Sequence, residues 1–420
     1  MQLGKRIYVY RKLHNYTLHR LTGDKISTAH LSKIENNYRI PGRHILKSLS
    51  EKLELPESFL QDSSVKDAEV HSILSQIHLF IIQDMEKADP LIHMIDLHYY
   101  EYLACIEQEV YFLLLKAAYY YKNDQNDQAL HLYEHYLVHY LADADYSAWP
   151  LFLKGAYYYF FGIHYYQLGD YDQSFHSYKS YLEVTDSLPV KAALTYNLGF
   201  LSRIKGENDT ALNYCKQALS YYDILKLPKD QSMTYNLVGV IHWSQENYAE
   251  AMNYLEKAET LSLQTEDKNL LAQIYHNKAI ILRKQQLEEQ AIPYLEKTLQ
   301  LKKSQNKNPM ITYHTLCRNY LALGKLEKAK ETFKEAEDYI RNDMDYYKLL
   351  DSFLDYYKYT NEQALYEKGL MDCIDFFKEK TNNDLLKSQY KKLGYYYYEN
   401  NKYKRASECF LSLLELNESN

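Results

Sequence analysis

The chain has 420 residues, of which 47 are Tyr but only 12 Gly and 8 Pro, with 46% hydrophobic and 25% charged residues and a net charge of −7. So little turn material excludes β-sandwiches, barrels and Gly-rich α/β enzymes, and the apolar content excludes a disordered chain, leaving an all-α class. The charge is split: residues 1–56 carry eleven Lys and Arg against four Asp and Glu, a balance of +7, and the remainder carries −14, so the N-terminal segment is expected to meet a polyanion and the body is not.

In chain order, Leu3, Ile7 and Val9/Tyr10 mark a first amphipathic helix closed by Leu13-His14-Asn15. Thr17 is placed to cap a short second helix through Leu21 and Thr22, and Gly23-Asp24 forms the turn. Ser27 caps a third, with Ile26 and Leu31 at the spacing of a hydrophobic staple. Leu31 and Ile34 turn inward and leave Thr28, Ala29, Ser32 and Lys33 on the other face; Pro41 stops the chain before a fourth helix lined by Ile45, Leu46, Leu49 and Leu53. Two short helices joined by a tight turn in a basic segment are what a major-groove reader needs.

The run Thr17…Leu21…Ile26-Ser27…Leu31-Ser32-Lys33-Ile34-Glu35-Asn36…Pro41 resembles the Xre/phage-repressor helix-turn-helix. The resemblance implies base-edge contacts from Thr28, Ala29 and Lys33, and phosphate contacts from Ser27, Asn36, Arg39 and Arg43. Two positions depart from the family pattern: a phosphate-binding Gln is replaced by Leu18, and a turn Gly by Asn37, a residue that tolerates the left-handed conformation.

The body repeats itself. Small residues at 129, 174, 211, 251, 291, 329 and 406 follow polar turns such as Gly169-Asp170-Tyr171-Asp172 and Gly324-Lys325-Leu326-Glu327, and the double gap before 406 hides one degenerate unit near residue 368. Twelve positions before each anchor stands another small residue, Ala117, Gly162, Gly199, Gly239, Ala279, Cys317 or Gly394, as close helix approach requires. Bulky or apolar residues such as Tyr133/Tyr136, Tyr178/Tyr181, Leu255/Ala258 and Phe333/Ala336 follow the anchors, and Pro150, Pro189, Pro228 and Pro309 separate the hairpins. The layout resembles the tetratricopeptide repeat (TPR) with its unit stretched to 37–40 residues. Expected is a helix-turn-helix domain over 1–62 followed by a right-handed TPR superhelix of about nine hairpins over 63–420.

The first helix of each hairpin would line a groove, presenting Tyr196, Asn197 and Arg203, then Asn236, Trp243, His276, Asn277, Arg283, His314 and Arg318. Asn donates and accepts at once to an extended backbone, Arg clamps a carboxylate, and Trp or Tyr supplies flat apolar area, a set suited to a short peptide. His131, His135 and His139 recur every four residues but lie off the buried stripe with no fixed carboxylate or Cys beside them, and read as a solvated face with no metal. The cysteines, five and without a CxxC pair, read as reduced core thiols. No nucleotide-binding, zinc-protease or hydrolase motif occurs, so neither an enzyme nor a cofactor is expected.

Taken together, the two parts resemble the peptide-pheromone-responsive regulators of the Rap/Rgg/NprR/PlcR/PrgX group. That resemblance implies a cytoplasmic homodimer or higher oligomer that binds promoter DNA and a short signalling oligopeptide. The rival expectation is an interaction module that binds and inhibits a signalling protein of a sporulation phosphorelay. Neither reading involves a membrane, since stretches 73–82 and 151–168 are too short or too interrupted to span one.

Overall fold

A computed structural model describes residues 2–22, 26–142, 144, 146–380 and 383–418; the Gly23-Asp24 turn lies outside them. Every regular element among them is a helix. The chain forms two compact units, Met1–Leu227 and Pro228–Asn420.

The first unit opens with α1 (Leu3–Leu13), α2 (Leu18–Thr22), α3 (Thr28–Glu35), α4 (Arg43–Lys52) and α5 (Glu57–Gln61). Asn15, with φ 53°, ends α1 in a left-handed residue, and the Ser27 hydroxyl accepts from His30 N at 3.2 Å to cap α3. Asn37 takes φ 60°, so the turn after α3 forms without glycine, and its Oδ1 accepts from Gly4 N at 3.0 Å. A Cβ on Gly4 would stand 2.0 Å from Ile34 O, so α1 crosses α3 at a distance only glycine permits.

Then come the hairpins α6/α7 (Ala68–Gln83, Met85–Leu97), after which α8 (Tyr99–Tyr102) leads to α9/α10 (Ile106–Lys122, Asn126–Leu132). A π-turn at Tyr133–Leu137 interrupts the latter before α11 (Val138–Leu141), where a continuous helix was expected. The unit closes with α12/α13 (Leu151–Gln167, Tyr171–Val184) and α14/α15 (Leu188–Ile204, Asn208–Leu225). Ile7, Leu31 and Leu49 of the N-terminal helices share one core with Leu114, Phe160 and Leu198 of the hairpins.

The second unit contains α16/α17 (Pro228–Ser244, Tyr248–Gln264), α18/α19 (Lys268–Lys284, Glu288–Ser304), α20/α21 (Met310–Ala322, Leu326–Glu337), α22/α23 (Asp343–Tyr359, Gln363–Glu379) and α24/α25 (Asn383–Glu399, Tyr403–Glu418). The described hairpins thus match the expected nine. The spacing of small residues has a direct cause: a Cβ at Gly162 would meet the Tyr178 ring at 2.4 Å and one at Gly394 the Phe410 ring at 2.7 Å, so each glycine seats the bulky residue four past the anchor.

The hidden hairpin is α22/α23. Asn361 adopts the left-handed φ that Gly324 and Asn401 adopt five residues before their anchors, which puts the missing anchor at Tyr366, two residues from the expected place. Tyr366 is large and buried, and Gly369 provides the close contact instead, against Leu354. The tyrosine excess also finds a reason: hydroxyls of Tyr111 and Tyr181 bond His78, Tyr121 bonds His164, and Tyr397 bonds Glu367, so ring and hydroxyl together tie helices that leucine would only pack.

Candidate functional site

The N-terminal basic segment divides into an internal and an external set. Arg6 is fully buried: its Nε donates to Glu109 Oε2 at 2.8 Å, and its remaining nitrogens reach the carbonyls of Phe59, Leu103 and Ala104. Burial alone would lower the guanidinium pKa, but Glu109 outweighs it and the pKa lies above its ordinary value. The hydroxyls of Tyr10, Tyr99 and Tyr140 also donate to Glu109. Arg11 is buried in a bidentate pair with Glu35, at 2.6 and 2.7 Å. These two arginines, counted toward the +7, are therefore spent within the fold rather than offered to a polyanion.

On the outside, Ser27, Thr28, Ala29, Lys33, Asn36, Arg39 and Arg43 are all exposed, whereas Leu31, Ile34 and Glu35 of the same helix are buried. Lys12, Arg20 and Lys47 are exposed as well, with Arg20 stacked 4.3 Å over the Tyr16 ring. The seven residues expected to face DNA thus share an accessible stretch around α3, with the α3 N-terminus open and positive.

The histidines of the second hairpin behave differently from the expected uniform solvated face. His131 and His135 are exposed and stack at 4.3 Å, but the π-turn swings His139 inward, where it packs edge-on against Tyr8 of α1 at 5.1 Å. Among the described residues no group of three or more His, Cys, Asp or Glu is arranged to hold a metal ion.

The expected groove residues fall in both units. In the first, Tyr196, Asn197 and Arg203 of α14 are half-buried; Arg203 lies over the Phe200 ring at 5.4 Å and its Nε has no hydrogen-bond partner. In the second, Asn277 Nδ2 donates to Asn236 Oδ1 at 2.9 Å, joining first helices of successive hairpins. Trp243 packs partly buried in the α16–α18 core. His276 and His314 each keep one buried ring nitrogen without a partner, and burial pushes both imidazoles down to about 4. Arg283 is half-buried, and burial together with the nearby Arg318 lowers its pKa. Arg318 is exposed and donates to Asp351 Oδ2 at 2.6 Å.

Asp351 was missed by sequence reasoning. It is buried on α22 and also accepts from Gln389 Nε2 at 2.7 Å and Lys392 Nζ at 2.5 Å; burial raises its carboxyl pKa, but Lys392 and Arg318 outweigh this and hold it below the ordinary value. With Tyr366 as anchor, Asp351 stands fifteen residues before it, the position that Tyr196, Asn236, His276 and His314 hold in their own hairpins. The signal was present but the hairpin's phase was not.

The tetratricopeptide repeat model matches residues 191–264 and 270–342, and a second tetratricopeptide repeat model matches 390–420. The hairpins within these ranges are matched as tetratricopeptide repeats. No curated protein matches the sequence. Solved structures similar in fold include the apo form of the quorum sensor NprR from B. thuringiensis, with a TM-score of 0.70, 18% identity and coverage of 83% of this chain and 98% of that one. A Rap protein complexed with competence and sporulation factor gives 0.66 at 16% identity, covering 84% and 98%. Aspartyl phosphate phosphatase F from Bacillus subtilis gives 0.56 at 16% identity, covering 84% and 95%. At these identities the likeness is one of fold.

Proposed function

We propose that the chain is a quorum-sensing transcription regulator: residues 1–62 form a helix-turn-helix domain that reads promoter DNA, and residues 63–420 form a TPR domain that takes a short signalling peptide and mediates homodimerisation in the cytoplasm. The observation that carries this reading is the simultaneous exposure of Ser27, Thr28, Ala29, Lys33, Asn36, Arg39 and Arg43 around a helix whose apolar side is buried. A helix with its N-terminus open, Lys33 free to reach a guanine edge and arginines placed for phosphates is the arrangement a major-groove reader uses. The fold shared with a peptide-complexed Rap protein and the quorum sensor NprR supports a peptide as ligand of the TPR part. No described helix is long and apolar enough to cross a membrane.

A second reading has its own support. Arg6 and Arg11 are consumed internally, so the surface left for a polyanion is smaller than the sequence charge promised, and Rap proteins recur among the structures of like fold. In that reading the TPR part binds and inhibits a signalling protein and DNA binding is secondary. Salt titration of binding to the DNA upstream of the protein's own gene separates the two. If Arg39 and Arg43 of each subunit of a dimer displace counterions, the slope of log K against log salt is roughly −3 to −4. A slope near zero with no preference over unrelated DNA sinks the regulator reading.

A further inference from the structure

The first-helix face of the second unit holds one cation without an ion pair, Arg283, and one whose pair can be exchanged, Arg318. Arg283 is half-buried, and among the described residues its guanidinium has neither an ion pair nor a hydrogen bond, although the Glu288 carboxylate acts on it from a distance. Arg318, the charge that most disturbs it, is held by Asp351 alone, and the two side chains differ sharply in exposure: 42% for Arg318 and 3% for Asp351. Asp351 does not depend on Arg318. Its Oδ1 already accepts from Lys392 and Gln389, while Arg318 uses the other oxygen. His314, one turn before Arg318 on α20, adds a buried ring nitrogen with no partner. Two guanidiniums on the first helices of successive hairpins, one half-buried without an ion pair and one detachable, make a fork that an anion would complete.

We propose that this face receives a carboxylate of the ligand between Arg283 and Arg318, and that Arg318 changes partner in doing so, leaving Asp351 to Lys392 and Gln389. The inference rests on the reading of the TPR part as a peptide receptor and assigns where the peptide's negative charge goes. The carboxylate is either the peptide's C-terminus or an Asp or Glu side chain. Because Asp351 joins α20, α22 and α24 through Arg318, Gln389 and Lys392, the exchange also loosens α20 from the following hairpins, which couples occupancy to their packing.

The test uses the full chain and three synthetic heptapeptide pools: free C-terminal acids lacking Asp and Glu, C-terminal amides containing one Asp or Glu, and C-terminal amides lacking both. Peptides retained through gel filtration are counted by mass spectrometry for the wild type and for Arg283→Gln, Arg318→Gln and Asp351→Asn. Expected is retention of at least one carboxylate pool, tenfold or more above the neutral amides, with the first pool indicating a terminal and the second a side-chain carboxylate. Arg283→Gln and Arg318→Gln should each cut that retention at least tenfold, and Asp351→Asn should keep or raise it. Arg283 has no partner to lose, so its variant carries the test even where Arg318→Gln unfolds. Retention of neutral amides equal to that of acids, or indifference to both Gln variants, overturns the carboxylate site and leaves the peptide reading standing. Loss of retention in Asp351→Asn overturns the partner exchange. No retention of any pool by the wild type overturns the peptide reading itself.

Discussion

Arg6 and Glu109, 103 residues apart in the chain, form an ion pair with neither side chain exposed, Nη2 to Oε2 at 2.7 Å. The pair fastens the first helix of the N-terminal segment to the first helix of the second hairpin, and Tyr10 and Tyr140 close it from either side with hydroxyls on the same carboxylate. The expected boundary near residue 62 is thus crossed by a buried polar network and by a shared core. An N-terminal segment fastened in this way moves with the hairpins it is packed on, as the proposed regulator would require.

Removing one partner of this pair strands the other charge in a dry site. Arg6→Ala or Glu109→Ala should lower stability by about 3–5 kcal/mol, while the joint replacement Arg6→Met/Glu109→Leu, which leaves no unpaired charge, should cost much less than either. Urea unfolding of the single and double variants checks this; additive losses would show that the pair does not act as a unit.

The α1–α3 crossing gives a sharper steric prediction. Gly4→Ala places a methyl group 2.0 Å from a backbone oxygen that cannot rotate away, so α1 and α3 must separate, at about 1–3 kcal/mol and, if α3 reads DNA, with weakened DNA binding. Gly169→Ala meets no atom within 4 Å and pays only for φ +77°, about 1–2 kcal/mol, with DNA binding intact. Equal effects of the two on DNA binding would remove the crossing as the reason for Gly4.

How far the sequence could be read follows from the same contacts. Small residues twelve apart were legible because Gly162 and Gly394 answer to one ring each, a local and repeated constraint. Tyr366 broke the rule because its hairpin moved the close contact to Gly369, and with the phase lost Asp351 was lost too. Arg6 and Arg11 could be counted but not placed: their partners Glu109 and Glu35 are set by how helices dock, and no spacing in the chain announces a pair 103 residues apart. The exposed side of α3 was legible because apolar periodicity assigns the outer face of one short helix directly.

If α3 reads DNA, its residues divide by role. Lys33→Ala should cost about 1–3 kcal/mol on the preferred sequence and little on unrelated DNA, because it removes a base contact. Arg43→Ala should weaken both alike and reduce the salt slope by about 0.9 per subunit, because it removes a phosphate contact. Measured by fluorescence anisotropy, the opposite pattern would exchange the two assignments.

His78 sets a pH dependence of stability. It is buried on α6, with Nδ1 3.0 Å from the Tyr111 hydroxyl and Nε2 3.1 Å from that of Tyr181, and burial lowers its pKa from 6.5 to about 4. Between these values the unfolded chain binds a proton that the folded one refuses. The neutral imidazole therefore costs nothing above about pH 6.5, and stability falls as pH drops from there toward 4. The shift corresponds to about 3 kcal/mol for this group. His276 and His314, lowered to about 4 as well, add in the same direction. His78→Gln keeps a donor and an acceptor between the two tyrosines but cannot titrate. Its urea midpoint should decline less than that of the wild type between pH 7 and pH 4, by the share His78 contributes. Parallel curves would mean that the imidazole is protonated in place, with both tyrosine hydroxyls accepting from it.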